Sequence, residues 1–483
     1  MTTETQLEEL QKTLQGVNAP FSSSGTFVPK KPLTLVFADK FRFTVTRAQR
    51  KNEQVATLQP LIDRCKPAMF GDKRQTRLDR KVRDALQLKA EGGDFTVEHF
   101  DPESSGILES IRLQMLPNES GQITAELYAV NVYESGGHFA PHKDTPRGQD
   151  MFGTLVVCLP SQFSRGEFVL THCGMVQRYD WGEQISKQKV ESQLHWVAFF
   201  GDVDHQIEKE LNGARVTVTY LLRRNKPLEP AFTDQDDRIP STIVEAWRDL
   251  LADDKFLPKG GVLGYPCCHL YHQDARFQVK QTALDMSSAS MLKGRDQLVA
   301  AASLKAGLDV QIVPYVFENC IRETWQLDHF PTSKEESKMR SQMDLSDLQN
   351  ALPIHGESSE KEGDFGVTWL EDPPSASRTN RLQNPNSESS SVRPAAGHLH
   401  SCEYCEWGYF GNEASFVDFY VYAALHVCIP KVGVGPRAKT QPPKPLTAKK
   451  SAAGKKEEPA NKKKSQTAKK STAAKSKKSG EGK

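Results

Sequence analysis

No uninterrupted apolar run in this sequence approaches the ~18 residues that a membrane-crossing helix needs. The opening stretch, MTTETQLEELQKTLQG, lacks the basic-then-apolar layout of a secretory leader. Together these absences lead to the expectation of an intracellular protein, cytoplasmic or nuclear, with no membrane partner. Cysteine is sparse and odd in number, nine in 483 residues, which excludes a disulfide framework and points to reduced, mostly buried thiols. No repeat recurs at solenoid spacing. Beyond Pro430 the chain has no aromatic residue and too few large apolar ones to bury a core, so residues 431–483 are expected to be a disordered Lys-rich tail.

What is present suffices for more than one core, since 37% of this long chain is hydrophobic. The net charge of +2 conceals an asymmetry. Residues 431–483 carry 17 Lys+Arg against 3 Asp+Glu, a net of +14, which leaves 46 basic and 58 acidic residues in 1–430, a net of −12. An acidic body therefore carries a basic tail. The tail reads as a nuclear-localisation or weak nucleic-acid-contact segment, or equally as a solubilising one; without aromatics it has nothing on which bases would stack.

The order of patterns suggests an α+β protein. Residues 1–24 read as a flexible or weakly helical N-terminus. Residues 25–230 form the first folded unit. Within it LTLVF (33–37) and FRFTV (41–45) are strand-like, and 51–92 looks helical, with Leu58, Leu61, Ile62 and Cys65 at helical spacing. Short apolar runs follow at 123–133, 152–160, 166–172, 194–200 and 214–224, separated by turn formers, as in a sandwich or barrel. Residues 231–331 read as a second, mixed α/β unit, with helices at 243–253 and 296–310 and strands at 265–272 and 310–318. A low-complexity insertion (332–397) comes next, then an ordered segment (398–430) expected to pack back onto the second unit.

The chemistry concentrates in Tyr133-Glu-Ser-Gly-Gly-His-Phe-Ala-Pro-His142-Lys-Asp144. Residues two apart on a strand share a face, so His142 and Asp144 point the same way and Lys143 points elsewhere. An imidazole and a carboxylate side by side offer two ligands to a divalent metal. His205, after the apolar run WVAFF and a Gly-Asp turn, is the candidate third ligand. Two His and one carboxylate on one face leave three coordination positions open, the pattern of non-haem Fe(II) oxygenases. Alone, His-X-Asp is a weak signal. Arg215, ten residues past His205, strengthens it, because a guanidinium fork suits a carboxylate. Thr217 and Thr219 share its face, and Tyr133 approaches from a neighbouring strand.

Residues 123–224 resemble the catalytic domain of prolyl 4-hydroxylase-type Fe(II)- and 2-oxoglutarate-dependent dioxygenases. The resemblance rests on Tyr133, Gly136-Gly137, Phe139, His142, Asp144, His205 and Arg215, and on Gly166-Glu167-Phe168 followed by His172-Cys173-Gly174. Arg165 stands where the family has a first glycine, which leaves loop shape and substrate choice open. The resemblance implies a double-stranded β-helix, the jelly-roll barrel of the cupin class, with flanking helices. It implies Fe(2+) held by His142, Asp144 and His205, and 2-oxoglutarate anchored by Arg215 with Tyr133 and Thr219. It also implies decarboxylation of 2-oxoglutarate to succinate, hydroxylation of a protein or peptide, and L-ascorbate as a reductant. The stretch at 409–414 resembles a piece found in fungal proteins that carry this domain.

Two other classes stay in view: a nucleic-acid demethylase on the same scaffold, motivated by the tail, and a non-catalytic scaffold or sensor, motivated by the large C-terminal half. Secondary features have plainer readings. Cys402 and Cys405, with His398, His400, His426 and Cys428, have zinc-like spacing, against the alternative of incidental thiols. Cys267, Cys268, His269 and His272 sit in an apolar run where core cysteines are the default. Trp181, Trp196, Phe199 and Phe200 read as barrel core, His138 and His172 as rim, and His195 as structural.

Overall fold

The computed structural model describes residues 2–17, 19–72, 75–116, 122–148, 150–224, 239–274, 282–289, 292–317, 324–326, 352–353, 367–369, 410–411 and 418–438. Residues 1–438 form one compact unit. The expected zinc-like set at 398–405 and the tail beyond 438 lie outside the described residues, as does most of the 332–397 insertion.

Two mostly antiparallel sheets build the first core. One runs in the order Ser22–Phe27, Leu194–Phe200, Met151–Cys158, Glu210–Arg224, Ile123–Glu134, Leu86–Lys89 and Lys66–Pro67. The other runs Met175–Tyr179, Phe168–His172, Asp204–Ile207, His138–Lys143, Phe410–Gly411, Phe70–Asp72 and Gln75–Arg77. Period-2 patterning explains their inner and outer faces. Along Glu210–Arg224, Arg215, Thr217 and Thr219 share one face, while Ala214, Val216 and Val218 share the other. All eight residues of Met151–Cys158 are buried, so both faces of that strand are covered. Helices Gln54–Ile62 and Ile107–Met115 pack on this sheet. The second helix buries Ile107, Leu108, Ile111 and Met115, an apolar stripe at helical spacing.

Among the described residues, the stretch 51–92 is helical to Ile62 and again only in a single 3-10 turn at Glu91–Gly93. Pro67 and Gly71 interrupt the helical pattern, and Arg83–Asp84 and Leu86–Lys89 are strands paired with His138–Lys143 and Ile123–Glu134. The polar N-terminus, in contrast, forms a helix at Thr3–Gln15. Thr2 caps it through its side chain, and Leu10 and Leu14 are buried. A fully buried Leu stabilises by roughly 1.5–3 kcal/mol, enough to order a short polar helix against a second core.

That second core packs Leu10 and Leu14 with Trp247, Phe256, Tyr265, Val299 and Leu425. Its sheet has Asp418–Ile429 between Gly261–Pro266 and Asp309–Phe317, so the late segment is a middle strand of this second core's sheet. The expected strand at 265–272 is broken after Pro266. The N–H groups of Cys268 and His269 donate to the Asp296 carboxylate (2.7 and 3.0 Å) instead of to a neighbouring strand.

Candidate metal centre

Strand register brings the three predicted ligands together. His138–Lys143 pairs antiparallel with Asp204–Ile207, with His142 directly opposite His205. Their ring centroids lie 4.0 Å apart. Asp144 follows at the strand end, its N–H donating to the Gly201 carbonyl (3.0 Å). One donor atom from each of His142, Asp144 and His205 falls within 4.8 Å of the others, and all three residues are buried.

The donor set suits a divalent cation. The Nδ1–H of His142 donates to the Ala140 carbonyl (2.9 Å), and that of His205 to the Val203 carbonyl (3.0 Å). Each bond fixes the tautomer and leaves Nε2 with its lone pair toward the cluster, as ligand histidines require. His205 Nε2 is 3.8 Å from Asp144 Oδ1. Burial, together with the neighbouring His205, pushes the His142 pKa well below that of a free imidazole, so the ring is held neutral, its ligating form. Thr154 donates its hydroxyl to Asp144 Oδ2 and orients the carboxylate. Phe139 stacks on the His142 ring at 3.5 Å, and Phe199 lies 4.6 Å from His205, so apolar walls enclose the cluster.

The cluster opens into a cavity lined by both sheets. Tyr133, Thr217 and Thr219 line it. So do Asn131, Gln87 and Arg83.

No family model matches this chain, and no curated protein matches it. Among solved structures it is similar to a Pseudomonas putida prolyl-4-hydroxylase, at 14% identity and a TM-score of 0.25 over 45% of this chain and 99% of that one. It is also similar to an oxidoreductase of the 2OG-Fe(II) oxygenase family from Burkholderia pseudomallei (12%, 0.24, over 46% and 92%). A third is a Trichoplax adhaerens prolyl hydroxylase in complex with a hypoxia inducible factor peptide fragment (14%, 0.23, over 46% and 91%). At such scores the overlaps carry no weight, and what bears on function is the geometry of the site.

Arg215 does not line the cavity. It is fully buried, and its Nε donates to Glu210 Oε1 (2.7 Å), while its Nη2 contacts Glu210 Oε1 and the Gly166 carbonyl. Gly166 makes the room: a Cβ there would fall 2.4 Å from the Glu210 carboxyl carbon and 2.6 Å from Arg215 Nη2. Arg165 takes the left-handed backbone (φ 62°) that a glycine would adopt more easily. Burial pushes the Glu210 carboxyl up to about 7, even with Arg215 beside it.

The remaining candidates fall into place around the centre. His138 bridges the Gly136 and Lys81 carbonyls at 3.0 Å each, and His195 meets Gln188 Oε1 at 3.1 Å. Trp181 stacks on Phe168 (5.6 Å), and Trp196 packs against Gly25. His172, Asp202 and His269 form a second group of possible donors. Asp202, however, already accepts from Lys293 Nζ (2.8 Å), His269 Nδ1 (3.0 Å) and the Leu270 N–H (3.0 Å). Burial alone would raise its pKa, but Lys293 and His269 outweigh that and hold the carboxyl well below its usual range. An anion so fully occupied belongs to an ion-paired network, not to an open ligand set.

Sequence reasoning missed Thr154 and Arg83. The signal for Thr154 was a lone hydroxyl residue in the otherwise apolar run FGTLVVCLP. Arg83 was hidden inside the stretch read as helix.

Proposed function

We propose that this chain is an Fe(II)- and 2-oxoglutarate-dependent dioxygenase built on a double-stranded β-helix, acting on a protein or peptide in the manner of the prolyl 4-hydroxylases. The observation that carries the reading is the buried His142–Asp144–His205 cluster with both imidazole Nε2 atoms left for a metal. The order of the two facing sheets supports the fold. The two metal-ligand strands are neighbours on one sheet, and the strands bearing Tyr133 and Thr219 are neighbours on the other. The motif set from Tyr133 to Arg215 supports the substrate class.

The residues have separable tasks. His142, Asp144 and His205 would hold Fe(II) on one face and leave the other face toward the cavity. Iron bound there with 2-oxoglutarate would supply, with dioxygen as the oxidant, the chemistry that yields succinate, carbon dioxide and a hydroxylated substrate, one oxygen atom going to each of succinate and substrate. Thr154 keeps Asp144 aimed, and Phe139, Phe199 and Ile207 keep water from the cluster. Tyr133 and Thr219 offer hydroxyls from the wall opposite the ligands.

The test is succinate formation by purified protein with Fe(II), 2-oxoglutarate and proline-containing peptides, alongside metal titration. Stoichiometric Fe(II) binding and turnover, both lost in His142→Ala, are expected. Failure of the wild type to bind Fe(II) or Mn(II) would overturn the reading. Binding without turnover on any peptide would overturn only the substrate class.

A further inference from the structure

We propose that Cys173 and Cys268 are a redox-modification site, a thiol pair that hydrogen peroxide closes into a reversible disulfide between a hairpin of the first core and the second core. Cys173 sits in the tight turn His172–Cys173–Gly174–Met175, which joins the strands Phe168–His172 and Met175–Tyr179. Cys268 lies just past Gly261–Pro266, in the segment that donates to Asp296. The Cys173 thiol donates to the Cys268 carbonyl (3.4 Å) and also meets the Cys268 thiol. The neighbouring rings of His172 and His269 stack at 4.3 Å, so the two segments already run side by side. Two sulfurs held in contact need little backbone movement to join.

Three features separate this pair from incidental thiols. Cys173 and Gly174 both take positive φ (46° and 79°), in a two-residue turn that favours Asn-Gly. A cysteine costs more in such a turn, so its side chain and not its backbone accounts for its place. Cys173 is exposed and Cys268 is partly buried, so an oxidant from solvent reaches one thiol with the other held behind it. Arg295 supplies the third feature: its Nε and Nη2 both donate to the Cys268 sulfur (3.2 and 2.8 Å). A neutral thiol is a weak acceptor, whereas a guanidinium fork suits one that carries negative charge.

The chemistry runs in two steps. The Cys173 sulfur attacks one oxygen of the peroxide. An S–O bond forms, the O–O bond breaks, and the second oxygen leaves as water with the thiol proton, which makes Cys173 a sulfenic acid. The Cys268 sulfur then attacks the Cys173 sulfur. The S–S bond forms, the S–O bond breaks, and hydroxide leaves as water with the Cys268 proton. Two thiols lose two electrons and two protons, and one peroxide becomes two waters. The order follows from the surroundings. Contact with Cys173, then burial, push the Cys268 thiol well above the usual thiol range, against the pull of Arg295. The exposed Cys173 therefore reacts first. Once it is a sulfenic acid its thiol no longer opposes ionisation of Cys268, and Arg295 favours the charge that builds there. The strand Phe168–His172 pairs with Asp204–Ile207, which carries His205, so the bridge anchors the neighbour of a ligand strand to the second core. A cross-link over so long a loop stabilises mainly by restricting the unfolded chain.

The test treats the reduced, full-length protein with a small excess of hydrogen peroxide, with a chelator present so that iron does not consume it. Mass mapping without reductant is expected to find the Cys173 peptide joined to the Cys268 peptide, and dithiothreitol to separate them. The urea midpoint should rise on oxidation and return on reduction. Cys268→Ser should leave Cys173 as a sulfenic acid that dimedone labels, Cys173→Ser should leave Cys268 unlabelled, and neither midpoint should move with peroxide. Arg295→Gln should slow the cross-link severalfold. The wild-type map decides the proposal without any variant: Cys173 carried to sulfinic acid without a cross-link, or joined to any other of the nine cysteines, overturns it. Dimedone labelling of Cys268 ahead of Cys173 overturns it as well.

Discussion

Replacing Thr154 with valine removes one hydroxyl at nearly constant volume, yet it frees Asp144 Oδ2 from the contact that aims it. Groups that orient metal ligands in this way are worth about ten- to a hundredfold in metal affinity. Chelator competition with Mn(II) is expected to show that loss for Thr154→Val; unchanged affinity would mean that Asp144 needs no such support. The Glu210–Arg215 pair makes a different prediction. Glu210→Ala leaves a fully buried guanidinium without its carboxylate and should cost about 3–5 kcal/mol in urea denaturation. The double variant Glu210→Leu/Arg215→Met removes both charges and should recover most of it. The clustering of His142, Asp144 and His205 was legible because strand period and chain spacing are sequence properties. The part Thr154 plays was not, because it arises only when separate strands are brought into register.

At the level of elements, the strand Asp418–Ile429 places His426 in the second core, 5% exposed. Burial pushes its pKa from 6.5 down to about 4. The folded protein holds the ring neutral, while the unfolded chain protonates it below pH 6.5. This contribution is therefore present in full above 6.5 and is lost as pH falls toward 4, on the order of 3 kcal/mol in all. Denaturation midpoints taken above and below that window should converge in His426→Gln relative to wild type, and parallel slopes would count against the assignment. Most strands of the first core were readable from alternation and short apolar runs. The stretch 63–92 was not, because a few apolar residues at helical spacing outweighed Pro67 and Gly71, and its short strands take their stability from pairing partners elsewhere in the chain.

For the whole molecule, the decisive contact is Asp202. It sits in the turn just before the strand that carries His205, and it is bound by Lys293, His269 and Leu270 of the second core. Asp202→Ala removes the carboxylate that Lys293, His269 and the Leu270 N–H share, a loss of about 3–5 kcal/mol. Calorimetry should then resolve two unfolding transitions where the wild type has one, and a single transition at the wild-type midpoint would show that the cores are coupled by other contacts. Composition and pattern suggested two folded units and a returning C-terminal segment, whereas residues 1–438 form one compact unit. They could not indicate the join, since an Asp, a Lys and a His so far apart in sequence carry no local signature.

The position of Asp418–Ile429 also has a consequence for how the chain is made. The strands of the first core, apart from Phe410–Gly411, emerge from the ribosome by Arg224, but the sheet of the second core lacks its middle member until residue 429 is synthesised. At ~5–20 residues per second, the interval between residues 317 and 429 lasts roughly 6–20 s. Through that time Gly261–Pro266 and Asp309–Phe317 each have an unpaired edge, the form of strand most open to capture by another nascent chain or by a chaperone.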